Sequence, residues 1–182
     1  MEIKEQETAA QQQYLTYFLA EEEYAISIQK VKEIIEYTAI TKVPKVPRWI
    51  RGVINLRGNV VPVVDLAVRF GLDERPVTKT SCIIIVEVQQ DTETTVMGVI
   101  ADAVNQVIAL TTEEIEQPPS FGTRVRLEYL DGMGKLGKKF ALILNIDRVL
   151  SAAELLAVSG LQSELANSVR EEVGEAAVVP EA

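Results

Sequence analysis

The chain has 182 residues, 47% of them hydrophobic, enough to fill the core of one ordinary domain or two small ones. Histidine is absent and cysteine occurs once, which excludes a histidine general base, a phosphoacceptor histidine, a zinc site of the usual kind and an internal disulfide. Of the net charge of −9, residues 1–10 carry −2 and residues 151–182 carry −5, so the body is nearly neutral between acidic ends and its net charge gives no support to a phosphate-binding surface.

In chain order, residues 1–12 lack periodicity and are expected to form a flexible tail, too polar for a signal peptide. Short β-branched runs follow, separated by turn residues. Strands are expected at 14–20, 23–28, 52–58, 60–65, 81–88, 94–101, 105–110, 125–132 and 139–146. Helical pieces are expected over 29–36 ("QKVKEIIE"), over 66–70 behind Asp65 as N-cap, and over 151–166. Residues 167–182 are small, acidic and short of anchoring side chains, which predicts a second flexible tail. No apolar run approaches the roughly 18 residues of a membrane span, so the chain is expected in the cytoplasm. Cys82, inside "SCIIIVEV", is expected in the core.

Three blocks recur in the same order. "YAISIQKVKEI" (24–34) has the pattern of "MGVIADAVNQV" (97–107), a proline pair follows in each half, and "WIRGVINL" with "VVPVVDL" parallels "YLDGMGKL" with "FALILNI". Gly52 falls on Gly132, Leu56 on Leu136 and Ile34 on Val107. Such a repeat predicts a mainly β domain over residues 13–150, built as two small barrels of about five strands side by side.

Chemistry-bearing residues are few. Asp65 and Asp102 each end an apolar strand, and a carboxylate-dependent hydrolase built on them is the remote alternative. Their neighbours, "DLA" and "DAV", lack the hydroxylated residue and glycine of an aspartic dyad loop, and a cap and a turn explain them better. Neither metal nor cofactor ligands stand out.

The stretch "VPKVPRWIRGVINLRGNVVPVVDLAVRFG", followed by "MGVIADAV" and "LEYLDGMGKLGKKFALILNID", resembles the CheW family of chemosensory adaptors. The resemblance implies two SH3-like barrels and a non-catalytic adaptor linking the cytoplasmic tips of chemoreceptors to the regulatory domain of a CheA-type histidine kinase, with other CheW-like domains as possible ring neighbours. It also implies recruitment to membrane-associated arrays without membrane insertion. A pilus-linked or other non-flagellar pathway is the alternative setting. By position in the motif, Arg57 is implied as a receptor-binding residue, with Asn55 beside it and Val31, Glu33, Ile34, Val99, Val104 and Val107 as groove walls. Glu33 is a candidate ion-pair partner of Arg57. Phe121 is implied at one kinase contact, at an exposed barrel end, with Arg51 and Ile40 as candidates for the opposite end. Ala67 stands where members often carry arginine, which removes that side chain's contacts here.

Overall fold

A computed structural model describes residues 11–90, 92–118 and 125–149. The expected helix over 151–166, both expected tails except residues 11 and 12, and Phe121 lie outside them.

The chain begins with a hairpin of β1 (Gln12–Leu19) and β2 (Glu22–Ser27), turned by Ala20 and Glu21 at φ +52° and +69°. Two consecutive positive φ values match the right-handed twist of the strands, which is why so tight a turn closes here. A single 3-10 turn, Ile28–Lys30, leads to β3 (Val31–Glu36). A second hairpin pairs β4 (Ile50–Leu56) with β5 (Asn59–Val64), followed by the one-turn helix α1 (Leu66–Arg69). Then come β6 (Cys82–Gln90), β7 (Glu93–Ala101), β8 (Ala103–Leu110) and the two-residue β9 (Ile115–Glu116). The last hairpin, β10 (Leu130–Leu136) and β11 (Lys139–Leu144), precedes the one-turn helix α2 (Ile146–Val149).

These strands form two sheets, one ordered β3-β6-β7-β5-β4 and the other β8-β1-β2-β11-β10-β9. The second has six strands rather than the expected five because of β9. Strand exchange explains the repeat: β2 runs on into β3, which pairs with β6 in the other sheet, and β7 runs on into β8, which returns to pair with β1. The two halves keep one register. Val63 lies opposite Gly98 in a parallel pair, as Ile143 lies opposite Ala25, and a bulge interrupts the register at Gly52 as at Gly132. Asp65 and Asn145 occupy equivalent places, the first accepting from the Val68 N–H at 3.3 Å and the second from the Arg148 N–H at 3.3 Å. The expected cap and helix at 65–70 are thus present.

Two expectations are corrected. Residues 31–36 form a strand, not a helix: Val31, Ile34 and Ile35 carry a helix-like spacing, but half-buried and exposed residues alternate along β3, and pairing with β6 decides. The strand expected over 125–132 begins only at Leu130, after a 3-10 turn at Leu127–Tyr129.

Each sheet has its own cluster on one face and shares the main core on the other. Ile83 and Ile85 join Ile54, Val61 and Val63, whereas Ile84 and Val86 pack with Tyr17, Tyr24, Trp49 and Leu144 in the cluster common to both sheets. Tyr14, Ala25, Ala141 and Ile143 make the matching cluster of the six-stranded sheet. Burial on both faces accounts for the uninterrupted apolar run of β6. Ile83, Ile84 and Ile85 are at most 1% exposed, and full burial of three such side chains contributes roughly 5–9 kcal/mol before conformational entropy is subtracted. Cys82 is buried among them, and burial pushes its thiol pKa up, which disfavours the thiolate.

Candidate functional site

The β4–β5 hairpin closes through two residues, Arg57 and Gly58, at φ +53° and +86°. Glycine suits such a corner, and arginine does not, because its Cβ crowds the backbone there. In the second half the equivalent corner is Gly137, at φ +63°. Asn55 holds the turn by accepting from the Gly58 N–H at 2.8 Å.

The Arg57 guanidinium reaches β3 and meets Glu33 as a fork, Nη1 donating to Oε2 at 2.9 Å and Nη2 to Oε1 at 2.8 Å. Bidentate pairing fixes the guanidinium plane as well as its position. Arg57 is 72% exposed and Glu33 27%, so the pair lies at the surface with its carboxylate half sunk against the sheet. Hydrogen bonding from Arg57 lowers the Glu33 pKa, reinforced by the charges of Arg57 and Lys32, and the same bond raises that of Arg57. A groove of about 500 Å³ opens beside the fork, lined by Lys32, Glu33, Leu56, Arg57, Thr95 and Val96 among others.

A depressed carboxylate gives a definite pH window. The fork is fully formed above the ordinary glutamate value of 4.5 and is lost as pH falls through the lowered value of Glu33. In an NMR titration of the side-chain carboxyl carbons, the Glu33 midpoint is expected below the ordinary glutamate value of 4.5. In Arg57→Ala that midpoint should return toward 4.5; an unchanged midpoint would show that the fork is not formed in solution.

The remaining implied groove walls do not all converge. Val99 is 2% exposed and belongs to the common core, so it cannot touch a partner in the folded state. Val31 and Val104 are partly buried and pack against that same core. Ile34 and Val107 are 43% and 51% exposed, on β3 and β8, the end strands of different sheets. Arg51 is engaged within the chain, its Nη1 lying 3.1 Å from Asp65 Oδ2 and 3.6 Å from Glu74 Oε2. Ile40 is half-buried against the cluster of the five-stranded sheet.

The carboxylate pair of the remote alternative is not a dyad. Asp65 caps α1 and pairs with Arg51, while Asp102 accepts from the Ala20 N–H at 2.9 Å and pairs with Arg75 at 3.4 Å. Each carboxylate has its own cation and N–H donor, and among the described residues no hydrogen bond joins the two, so they cannot share a proton. Nor, among the described residues, do three His, Cys, Asp or Glu side chains gather into a metal site.

One junction contact was not anticipated. Arg69 of α1 lies 5.1 Å from the Trp49 ring centroid and 5.8 Å from that of Tyr129, and donates to Tyr129 Oη at 3.2 Å and the Val149 carbonyl at 3.3 Å. It thereby ties the two halves together. Trp49 and Tyr129 are equivalent in the repeat, and that pairing was the available clue.

Fold and site together define a duplicated, strand-exchanged β domain that presents an arginine on a hairpin corner. A CheW-like domain model matches residues 13–154. The chemotaxis protein CheW of Klebsiella aerogenes is 35% identical over 150 residues, covering 82% of this chain and 88% of that protein. The Bacillus subtilis chemotaxis protein CheW is 42% identical over 105 residues, covering 58% and 65%. The crystal structure of the scaffolding protein TtCheW from Thermoanaerobacter tengcongensis superposes with a TM-score of 0.69 at 36% identity, covering 78% of this chain and 88% of that one. The chain belongs to the CheW family.

Proposed function

We propose that the protein is a non-catalytic chemotaxis adaptor that couples the cytoplasmic tips of chemoreceptors to the regulatory domain of a CheA-type histidine kinase. The observation that carries this reading is the Arg57–Glu33 fork beside an open groove on a CheW-family fold. A guanidinium fixed by one carboxylate keeps further N–H donors for a partner's carbonyls or carboxylates, and Leu56 and Val96 supply apolar area in the groove beside it. The receptor tip then engages Arg57, Glu33 and Asn55, with Ile34, on the other face of β3, and Val107 reached only if the contact extends around the edge of the sheet. The kinase regulatory domain contacts the two exposed barrel ends, one marked by Ile40 and Arg51 and the opposite one, by motif position, by Phe121. Other CheW-like domains are a further class of neighbour in an array. Among the described residues no helix is long and apolar enough to cross a membrane.

Reconstitution tests this. With receptor fragment and kinase both present, adding the protein is expected to raise kinase autophosphorylation at least tenfold, and to do little when receptor is omitted. No change in the three-component mixture would refute the adaptor reading.

A further inference from the structure

The segment joining β3 to β4 contains "TKVPKVPR" (41–48), with Lys42, Lys45 and Arg48 exposed. Among the described residues none of the three has a carboxylate partner, whereas Lys30, Lys32, Arg51, Arg57 and Arg75 each have one. The backbone that displays them is pinned. Thr41 exchanges two hydrogen bonds with Val53, both at 2.9 Å, the Ile50 N–H donates to the Pro47 carbonyl at 3.0 Å, and Val46 packs on the main core. Lys45 follows Pro44 at φ +61°, a left-handed corner that throws its side chain off the loop at some conformational cost. A rigid display of unpaired cations loses little entropy on meeting an anionic partner.

An anionic partner lies within the chain itself. Residues 151–182 carry −5, with Glu171, Glu172 and Glu175 close together. That segment departs just after Val149, whose carbonyl is bonded to Arg69, and Arg69 in turn stacks on Trp49, the residue following Arg48. The acidic segment therefore starts beside the cationic loop. With the expected helix over 151–166 spanning about 24 Å and the tail over 167–182 a coil of roughly 22 Å, the segment reaches roughly 30 Å, and tethering at that scale gives effective concentrations of about millimolar. We infer that the acidic C-terminal segment binds the Lys42–Lys45–Arg48 loop of its own chain, and competes there with acidic partners for the Ile40–Arg51 end.

A spin label on Val173→Cys tests the contact in the full chain; Cys82, buried and with its thiol pKa raised, stays unlabelled. At low salt the amide signals of residues 42–48 are expected to lose about half their intensity. In about 0.5 M salt, or in Glu171→Gln/Glu172→Gln/Glu175→Gln, most of that loss should vanish. No loss at the loop, or a loss centred elsewhere such as Lys138 and Lys139, overturns the inference. So does a loss that survives both salt and the glutamines, which is tethering alone, or one that appears between labelled and unlabelled copies in a mixture. The competition rests on the kinase reading above. There the glutamine variant is expected to bind the kinase regulatory domain about threefold tighter. Equal binding by both forms overturns the competition, whereas binding by neither refutes the kinase reading and not the self-contact.

Discussion

Gly52→Ala is expected to destabilise the fold by about 3 kcal/mol or more, lowering the thermal midpoint by roughly 6–12 °C. Gly52 sits at the bulge of β4 with φ +144°, and an added Cβ would lie 2.1 Å from the Thr41 carbonyl oxygen and 2.9 Å from Ile40 Cγ2. The oxygen is backbone and is itself bonded to the Val53 N–H at 2.9 Å, so it cannot retreat without breaking a sheet contact. Strain and clash therefore add. At Gly132, the equivalent position, φ is not in the left-handed region, and the nearest atom to an added Cβ is Ile115 Cγ2 at 2.6 Å, which can shift, although the Glu116 carbonyl oxygen at 2.8 Å cannot easily do so. Gly132→Ala should cost less. Urea or thermal unfolding of both variants checks the order; a Gly52→Ala protein as stable as wild type would mean that the bulge relaxes freely.

These two glycines also show what the sequence could and could not convey. Their matched spacing from the strands behind them exposed the duplication, because two copies of one bulge need two copies of one glycine. Asp65 was legible for a similar reason, since a cap leaves a local signature. Partners distant in the chain leave none. Residues 31–36 resemble a helix until β6, about fifty residues later, supplies a strand to pair with. Val99 looks like a groove wall because nothing local distinguishes an apolar residue facing a second sheet from one facing solvent. Arg51 looks free until Asp65 and Glu74 are brought to it. For the site the motif located Arg57, and the opposite charge of Glu33 suggested its partner. The fork geometry and the neighbouring Lys32 became visible only when β3 was placed beside the hairpin.

Arg57 separates stability from function most clearly, through two substitutions. Arg57→Gly gives the first hairpin the residue its twin already has at Gly137, and removes the crowding that a Cβ meets at φ +53°. Its urea midpoint is expected to equal or exceed that of wild type. Arg57→Ala keeps the crowding and loses the exposed fork, and its midpoint should stay within about 0.3 M of wild type, as for surface substitutions generally. Both are expected to weaken binding of a receptor tip fragment tenfold or more, because both remove the charged donor and release Glu33 from its place. Binding of the kinase regulatory domain, assigned to the Ile40 and Arg51 end, should change less than about twofold. An arginine kept at a glycine corner, against its own conformational preference, is then explained by what it binds. If instead Arg57→Gly lowered the midpoint sharply, or abolished receptor and kinase binding together, the fork would be a structural brace between β3 and the hairpin, and the receptor site would have to be sought elsewhere on the two sheets.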